Sequence, residues 1–226
     1  MTTDQPTAFD WQHPVYTPIV KERMRRLQKI RENPELLSYL KRVYRDKPWL
    51  FLSDWGTTSD PRHVEVGLPV TIPFILFPRQ IEWCEWLMDR WKGREPGATV
   101  KSRDMGITWL ASGMSAVLCM LNDEMNIGFG SRKLELVDDL GNPKSIFWKV
   151  RSFLEKSPPD FTGGWRFKER LIMFDNGSVI EGEGGDDIGR GGRASIYFVD
   201  EAAKAQHQES ADASLSATTN CRQFLS

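Results

Sequence analysis

The 226-residue chain has few of the residues from which disulfide frameworks and zinc centres are built. Its three cysteines lie far apart without a CxxC pair, and its three histidines are not spaced as metal ligands. That pattern excludes a disulfide-stapled domain and suits a reducing cytoplasm. A chain of this length buries roughly 70% of its unfolded surface, so a core can form without either kind of staple.

The sequence also lacks a charge excess and a long apolar run. Its 30 Lys and Arg against 31 Asp and Glu leave a net charge of −1, which excludes a histone-like polycation but allows a local basic patch. The N-terminus is polar and has no signal-peptide pattern. Residues 106–122 are uncharged, but this run is shorter than the ~20 apolar residues of a membrane span. We therefore expect it to form a buried helix, and we expect no membrane association.

Hydrophobic patterns divide the chain into an N-terminal helical arm with a linker (1–66) and an α/β core (67–226). Apolar residues at helical spacing predict helices over 18–46, with Pro34 starting the second one. Further along, the patterns predict a short helix and a turn-rich linker at 46–63, followed by an extended, buried segment at 69–77. Strands are predicted at 98–101, 125–130, 194–200 and from 222, and helices at 78–91, 107–121, 132–138, 143–156 and about 208–218. A hairpin is predicted over 171–182, with a type I′ turn at Asn176-Gly177. This alternation predicts a mixed, mostly parallel sheet flanked by helices.

Between a predicted strand and a predicted helix, residues 100–108 have features of a phosphate-binding loop. Such a loop reads GxxxxGK[ST], and its amide groups and helix N-terminus bind phosphates. In that register Gly106 is the second glycine and Thr108 is the metal-binding hydroxyl. Two positions depart from the pattern, because Ile107 stands where the lysine belongs and Lys101 where the first glycine belongs.

A lysine at the start of the loop can fold its long side chain back over the loop and reach the phosphates. The alternative is that Lys101 and Arg103 are surface charges on an ordinary turn. A second motif favours the phosphate site: the apolar run 195–199 ends in the adjacent carboxylates Asp200 and Glu201. In P-loop NTPases the strand beside the phosphate-loop strand ends in this way, with the Asp near Mg²⁺ and the Glu next to the attacking water.

Together, KSRDMGIT (101–108) and IYFVDEAAK (196–204) resemble the ATPase domain of the large terminase subunit, the DNA-packaging motor of tailed bacteriophages. That family often carries a deviant phosphate loop that begins with lysine. Residues 44–83 are similar to its segment leading to an adenine-pocket glutamine, and 184–192 resemble its loop before the acidic strand. The resemblance covers about 44–226 and is strongest to the Mu-like phages and prophages. It implies a P-loop NTPase core of the ASCE or RecA-like type.

The resemblance implies an Mg²⁺-dependent ATPase with its site residues in specific roles. Lys101 would contact the β- and γ-phosphates, Thr108 and Asp200 would hold Mg²⁺, and Glu201 would be the catalytic carboxylate. Arg103 would contact or sense the γ-phosphate, and the other loop residues that would bind the nucleotide are Ser102, Asp104, Met105, Gly106 and Ile107. Gln80, together with Arg79, would meet the adenine, although a polar residue at a helix start is also typical of an ordinary surface position.

The resemblance also implies an arginine finger that acts on the nucleotide of a neighbouring subunit. Arg190 in the glycine-rich loop is the candidate and Arg193 is its rival. The alternative is that either arginine pairs with Asp186 or Asp187 within the loop.

The implied partners are double-stranded DNA, further copies of the chain in a homo-oligomeric ring, a portal protein and a small terminase subunit, in the cytoplasm of a bacterial host. The family's coupling motif and nuclease domain would follow the last predicted strand, so we expect a C-terminally incomplete core without nuclease activity. Exposed lysines in the basic stretch 144–170 are candidate DNA contacts: Lys144, Lys149 and Lys156. Two alternatives stay open: another P-loop translocase such as a helicase-like ATPase, and a non-catalytic nucleotide-binding remnant that acts in assembly.

Overall fold

A computed structural model of the chain describes residues 9–102, 105–202 and 208–226, and for 208–211 it describes the backbone only. Three helices come first: α1 (Thr17–Glu32), α2 (Pro34–Asp46) and α3 (Pro48–Trp55). As predicted, the second helix begins at Pro34, whose missing N–H costs nothing in a first turn. The side chain of Asn33 caps α2 by accepting a hydrogen bond from the Leu36 N–H at 3.1 Å.

The predicted turn-rich linker contains one strand of a small sheet, and the segment predicted to be extended at 69–77 contains the other. Strands β1 (Thr57–Ser59) and β2 (Thr71–Pro73) pair antiparallel around a 3₁₀ turn, Pro61–Val66. Helix α4 (Pro78–Gly93) follows, close to the predicted 78–91. In its first turn, Gln80 contacts Met105 in the loop that follows the next strand, and this loop forms part of the candidate site.

Seven strands in the described part of the chain form one large sheet, in the spatial order β3-β9-β8-β4-β7-β6-β5. Their bounds are β3 (Gly97–Thr99), β4 (Asn126–Ser131), β5 (Trp165–Lys168), β6 (Leu171–Phe174), β7 (Val179–Gly184), β8 (Ile196–Asp200) and β9 (Cys221–Leu225). The five strands from β3 to β7 in space are parallel, and β6 and β5 continue the sheet antiparallel. The predicted mixed, mostly parallel sheet is confirmed.

Helices cover both faces of this sheet, as buried parallel strands require. The remaining helices are α5 (Ile107–Leu121), α6 (Leu134–Val137), α7 (Ile146–Lys156), α8 (Pro159–Thr162) and α9 (Gln208–Thr218). On one face Phe129 and Phe198 stack with ring centroids 5.1 Å apart in the core cluster that also contains α5, α7 and the N-terminal helices. On the other face Tyr197 and Val199 pack against Leu215 of α9.

Helix α5 coincides with the predicted helix 107–121 and is buried along nearly its whole length. It lies between the sheet and the N-terminal helices, which explains why its sequence has no polar face. None of the described helices is both long enough and apolar enough to cross a membrane.

Two local expectations were wrong. The acidic strand β8 is not beside β3, because β9 lies between them and pairs in parallel with both. The hairpin between β6 and β7 has no type I′ turn: Gly177 has a positive φ of 84°, but Asn176 does not. The Gly177 N–H donates to the Phe174 carbonyl and the Phe174 N–H to the Ser178 carbonyl, so a longer loop than two residues closes the hairpin.

Candidate functional site

The two sequence motifs meet at the carboxyl edge of the parallel sheet. Thr108 lies in the first turn of α5, directly after the loop that leaves β3, and Asp200 is the last residue of β8. The Thr108 hydroxyl donates to Asp200 Oδ2 at 3.1 Å, although 92 residues separate them in the chain. Parallel strands end at a common edge, so the intervening strand β9 does not prevent this contact.

The second carboxylate oxygen of Asp200 is a buried atom without a partner. Oδ1 accepts no hydrogen bond from the described residues. Burial raises the pKa of Asp200, while the charge of Lys101, the Thr108 hydroxyl and the charge of Lys149 act in the opposite direction. A hydroxyl beside a carboxylate with a free oxygen is the donor set that Mg²⁺ prefers. No group of three or more His, Cys, Asp or Glu within the described ranges could hold a metal ion, so a bound Mg²⁺ would need ligands from phosphates or water as well.

The loop between β3 and α5 is held at both ends. At its start the Lys101 N–H donates to the Ser226 carbonyl at 2.8 Å, beyond the end of β9. At its end Gly106 caps α5 with a φ of 70°, a conformation that favours glycine. Ser102 and Met105 are exposed, and Ile107 is buried in the core. The lysine position of the standard motif is therefore occupied by a packing residue. Arg103 and Asp104 lie outside the described residues.

Gln80 braces this loop from the first turn of α4. Its Oε1 accepts from the Phe77 N–H at 3.0 Å and its Nε2 donates to the Met105 carbonyl at 3.0 Å. A Cβ at Gly106 would lie 3.2 Å from Gln80 Nε2, so a side chain there would crowd the brace. Gln80 is buried, whereas Arg79 is exposed and pairs with Glu82 at 2.7 Å. The predicted contact of both residues with adenine stays a prediction.

Glu201 has an unusual backbone and an arginine partner. Its φ is 53°, a left-handed conformation that costs a non-glycine residue roughly 1–3 kcal/mol and that clusters at functional sites. Arg132 Nε donates to Glu201 Oε2 at 2.8 Å. Arg132 directly follows β4, the parallel neighbour of β8. Arg132 was not among the predicted site residues, although a basic residue directly after a buried strand is a signal that could have found it.

Lys149 differs from the expectation of an exposed DNA contact. Its side chain is only 8% exposed, and its ammonium donates to the carbonyls of Lys144 and Ser145 at 2.5 and 3.2 Å. Burial lowers the pKa of Lys149 to about 8, and the charge of Asp200 opposes that lowering. Lys149 therefore adds a buried positive charge on the side of the sheet that carries Asp200. Lys144 and Lys156 are exposed, as expected.

The two candidate finger arginines both lie in the segment between β7 and β8. Arg190 is exposed in the loop between β7 and β8 and pairs with Asp187 at 3.8 Å. The carbonyl of Arg193 accepts from Asn126 Nδ2 at 3.0 Å, at the start of β4 and thus at the opposite edge of the sheet. An arginine acting from a neighbouring subunit need not approach its own chain's site, so the predicted role of each stays a prediction.

Comparisons with known proteins give a likeness in structure but none in sequence. No protein-family model matches the chain, and no curated protein sequence matches it. The fold is similar to the crystal structure of the large terminase of bacteriophage HK97, with a TM-score of 0.58 and 14% sequence identity. The match covers 80% of this chain and 37% of the HK97 chain, so this chain spans little more than a third of that protein's length. The chain therefore has a terminase-like fold.

Proposed function

We propose that the chain is the ATP-hydrolysing motor part of a large-terminase-type protein and that it drives translocation of double-stranded DNA. The observation that carries this proposal is the hydrogen bond from Thr108 to Asp200 at 3.1 Å. It brings together the hydroxyl after a strand–loop–helix turn and the acid at the end of a strand in the same sheet, as nucleotide hydrolysis in P-loop proteins requires. The terminase-like fold supports the assignment to a DNA-packaging motor.

The residues at this edge suit Mg²⁺ and a nucleotide triphosphate. Thr108 and the unpartnered Oδ1 of Asp200 would hold the ion, and Lys101 would meet the β- and γ-phosphates. Bound Mg²⁺ would neutralise phosphate charge and polarise the γ-phosphoryl group. Lys101 stands at the loop start and already contributes favourable charge to Asp200. Lys101 would therefore supply the positive charge that the standard motif has at position 107.

Glu201 would orient the attacking water and accept its proton at a carboxylate oxygen. Arg132 would fix the direction of that carboxylate, because its Nε donates to Glu201 Oε2 at 2.8 Å. Arg190, exposed in its own chain, would stabilise the charge that develops on the γ-phosphate of an adjacent subunit in a homo-oligomeric ring. A portal protein and a small terminase subunit would be its assembly partners.

Mg²⁺-dependent ATP binding and hydrolysis test this proposal, with and without double-stranded DNA. Lys101→Ala should lose ATP binding, and Glu201→Gln should keep binding but lower kcat at least a hundredfold, the contribution typical of a positioned acid or base. Matched controls are Lys92→Ala and Glu155→Gln, because both side chains are exposed on helices. A folded parent chain that binds no ATP, or a Glu201→Gln variant with unchanged turnover, would refute the proposal.

One observation favours a second candidate, a nucleotide-binding remnant that acts in assembly. Ile107 occupies the motif's lysine position, and its side chain packs in the core and brings no positive charge to a phosphate. Such a remnant would bind ATP through Lys101 without turnover in the parent chain. The same assay therefore separates the two candidates.

A further inference from the structure

The glycine-rich loop that carries Arg190 lies between β7 and β8, and the carboxylate of Glu183 binds it to the sheet. Glu183 of β7 accepts two hydrogen bonds at the same oxygen, Oε2. The Gly189 N–H donates to it at 2.6 Å, and the Tyr197 hydroxyl of β8 donates to it at 2.5 Å. Gly189 immediately precedes Arg190, so this anchor lies one residue from the guanidinium-bearing side chain.

Two glycines permit the loop to approach the carboxylate this closely. A Cβ at Gly191 would overlap Glu183 Oε1. Gly189 has a φ of 83°, and a Cβ there would lie 3.0 Å from Leu215 of α9. The docked loop therefore favours glycine at 189 because of its backbone conformation, and a side chain at 191 would displace the Glu183 carboxylate.

The two donors are well suited to hold a carboxylate. Hydrogen bonds to an ionised acceptor are about twice as strong as those between neutral groups. Burial, followed by the hydrogen bond to Glu183, raises the pKa of Tyr197, so its phenol keeps its proton and remains a donor. Ile188, on the other side of Gly189, is buried with Tyr197, Val199 and Leu215. A polar anchor and an apolar contact thus hold the residues directly before Arg190.

We propose that Glu183 is a positioning residue that anchors the glycine-rich loop to the sheet and thereby sets the position of Arg190. The anchoring part stands on the contacts above. The consequence for hydrolysis rests on the proposed function, because it requires Arg190 to act on a nucleotide. Glu183 itself touches no reacting group.

The rate of trypsin cleavage after Arg190 measures how firmly the loop is held, and this assay needs no nucleotide. Glu183→Gln keeps the shape of the side chain but removes its charge, and Glu183→Ala removes the acceptor. We expect cleavage after Arg190 to accelerate on the order of tenfold in Glu183→Ala and less in Glu183→Gln, because opening of the loop becomes easier. The matched control is Glu181→Gln: Glu181 lies two residues earlier in β7, and its carboxylate accepts from Asn126 Nδ2 at 2.8 Å instead of from Gly189 or Tyr197.

Cleavage after Lys92, at the end of α4, is the internal reference in the same digests. Global unfolding accelerates both cleavages, whereas a released loop accelerates only the one after Arg190. An unchanged rate after Arg190 in both Glu183 variants, relative to that reference, would overturn the anchor.

ATP turnover tests the second part. Glu183→Gln should lower kcat several-fold and leave the KM for ATP within about twofold of the parent, because the nucleotide contacts of its own chain are intact. Glu181→Gln should resemble the parent in both constants. A loosened loop with unchanged kcat would overturn the positioning of Arg190 while leaving the anchor in place. A parent chain without turnover would refute the proposed function and with it this second part, and the digests would still decide the anchor.

Discussion

The buried charge of Lys149 leads to a quantitative prediction about stability. We expect Lys149→Met to stabilise the protein at pH 7. Each unit of pKa corresponds to about 1.4 kcal/mol, so the lowering from 10.5 to about 8 amounts to roughly 3 kcal/mol of unfavourable free energy for burying the ammonium. Methionine fills a similar volume without a charge, so the variant does not pay this cost of burial. The two carbonyls that Lys149 now binds lose a donor, so we expect a net gain of about 1–2 kcal/mol.

The sign of the pH dependence follows from the direction of the pKa change. Lys149 binds its proton more weakly in the folded protein than in the unfolded chain, because burial disfavours the charged form. The penalty is therefore fully present below pH 8 and disappears between pH 8 and pH 10.5. The advantage of Lys149→Met over the parent should shrink across that window.

Thermal unfolding at pH 7 and at pH 9.5 checks this prediction. A gain of 1 kcal/mol raises Tm by roughly 2–4 °C in a domain of this size. Lys144→Met is the matched control, because Lys144 is an exposed lysine five residues away, and it should change Tm little at either pH. If Lys149→Met destabilised the protein by the same amount at both pH values, the ammonium would be stabilising through its partners and the reasoning would be refuted.

Three further predictions follow from buried contacts. Asp200→Asn should stabilise the protein at neutral pH without Mg²⁺ by about 1 kcal/mol. Burial raises the pKa of Asp200 above 3.8, so the cost of the buried charge is complete above the raised pKa and declines to zero as the pH falls from there toward 3.8. The gain should vanish over the same interval, and urea titrations at two pH values measure it. Gly128→Ala should lower the free energy of unfolding by about 1–3 kcal/mol, because a Cβ at Gly128 would overlap the ring of Tyr197. The urea midpoint should fall accordingly, and an unchanged midpoint would contradict the packing. Tyr44→Phe should cost about 1–3 kcal/mol, because the buried indole N–H of Trp55 loses its acceptor at 3.0 Å; calorimetry should show a lower Tm.

Local patterns were sufficient for most elements. Helix α5 was predicted with its observed bounds because an uncharged run of helix formers follows a glycine, and β8 was predicted because an apolar run ends at two carboxylates. The short strand β5 was not predicted, because its apolar–polar alternation spans only four residues and most of its side chains are exposed. Strands of that kind form because a neighbouring strand offers hydrogen bonds, and no local pattern describes the neighbour.

The sequence motifs also predicted that Thr108 and Asp200 belong to the same Mg²⁺ site. In the structure a hydrogen bond joins the two side chains. The motifs could not supply their surroundings. Arg132 meets Glu201 only because β4 and β8 are adjacent, and Lys149 is buried only because α7 packs on the face that carries Asp200.

Most of the helices and strands, and the chemical types at their ends, could therefore be predicted from local features, since periodicity, turn residues and strand-end carboxylates are all local. Three features depend on the tertiary structure. They are the position of β9 between β3 and β8, the contact of Gln80 with the loop between β3 and α5, and the anchoring of the loop between β7 and β8 by Glu183. Each depends on pairings between residues far apart in the chain, whose free energy comes from mutual burial and hydrogen bonding that neither segment possesses alone.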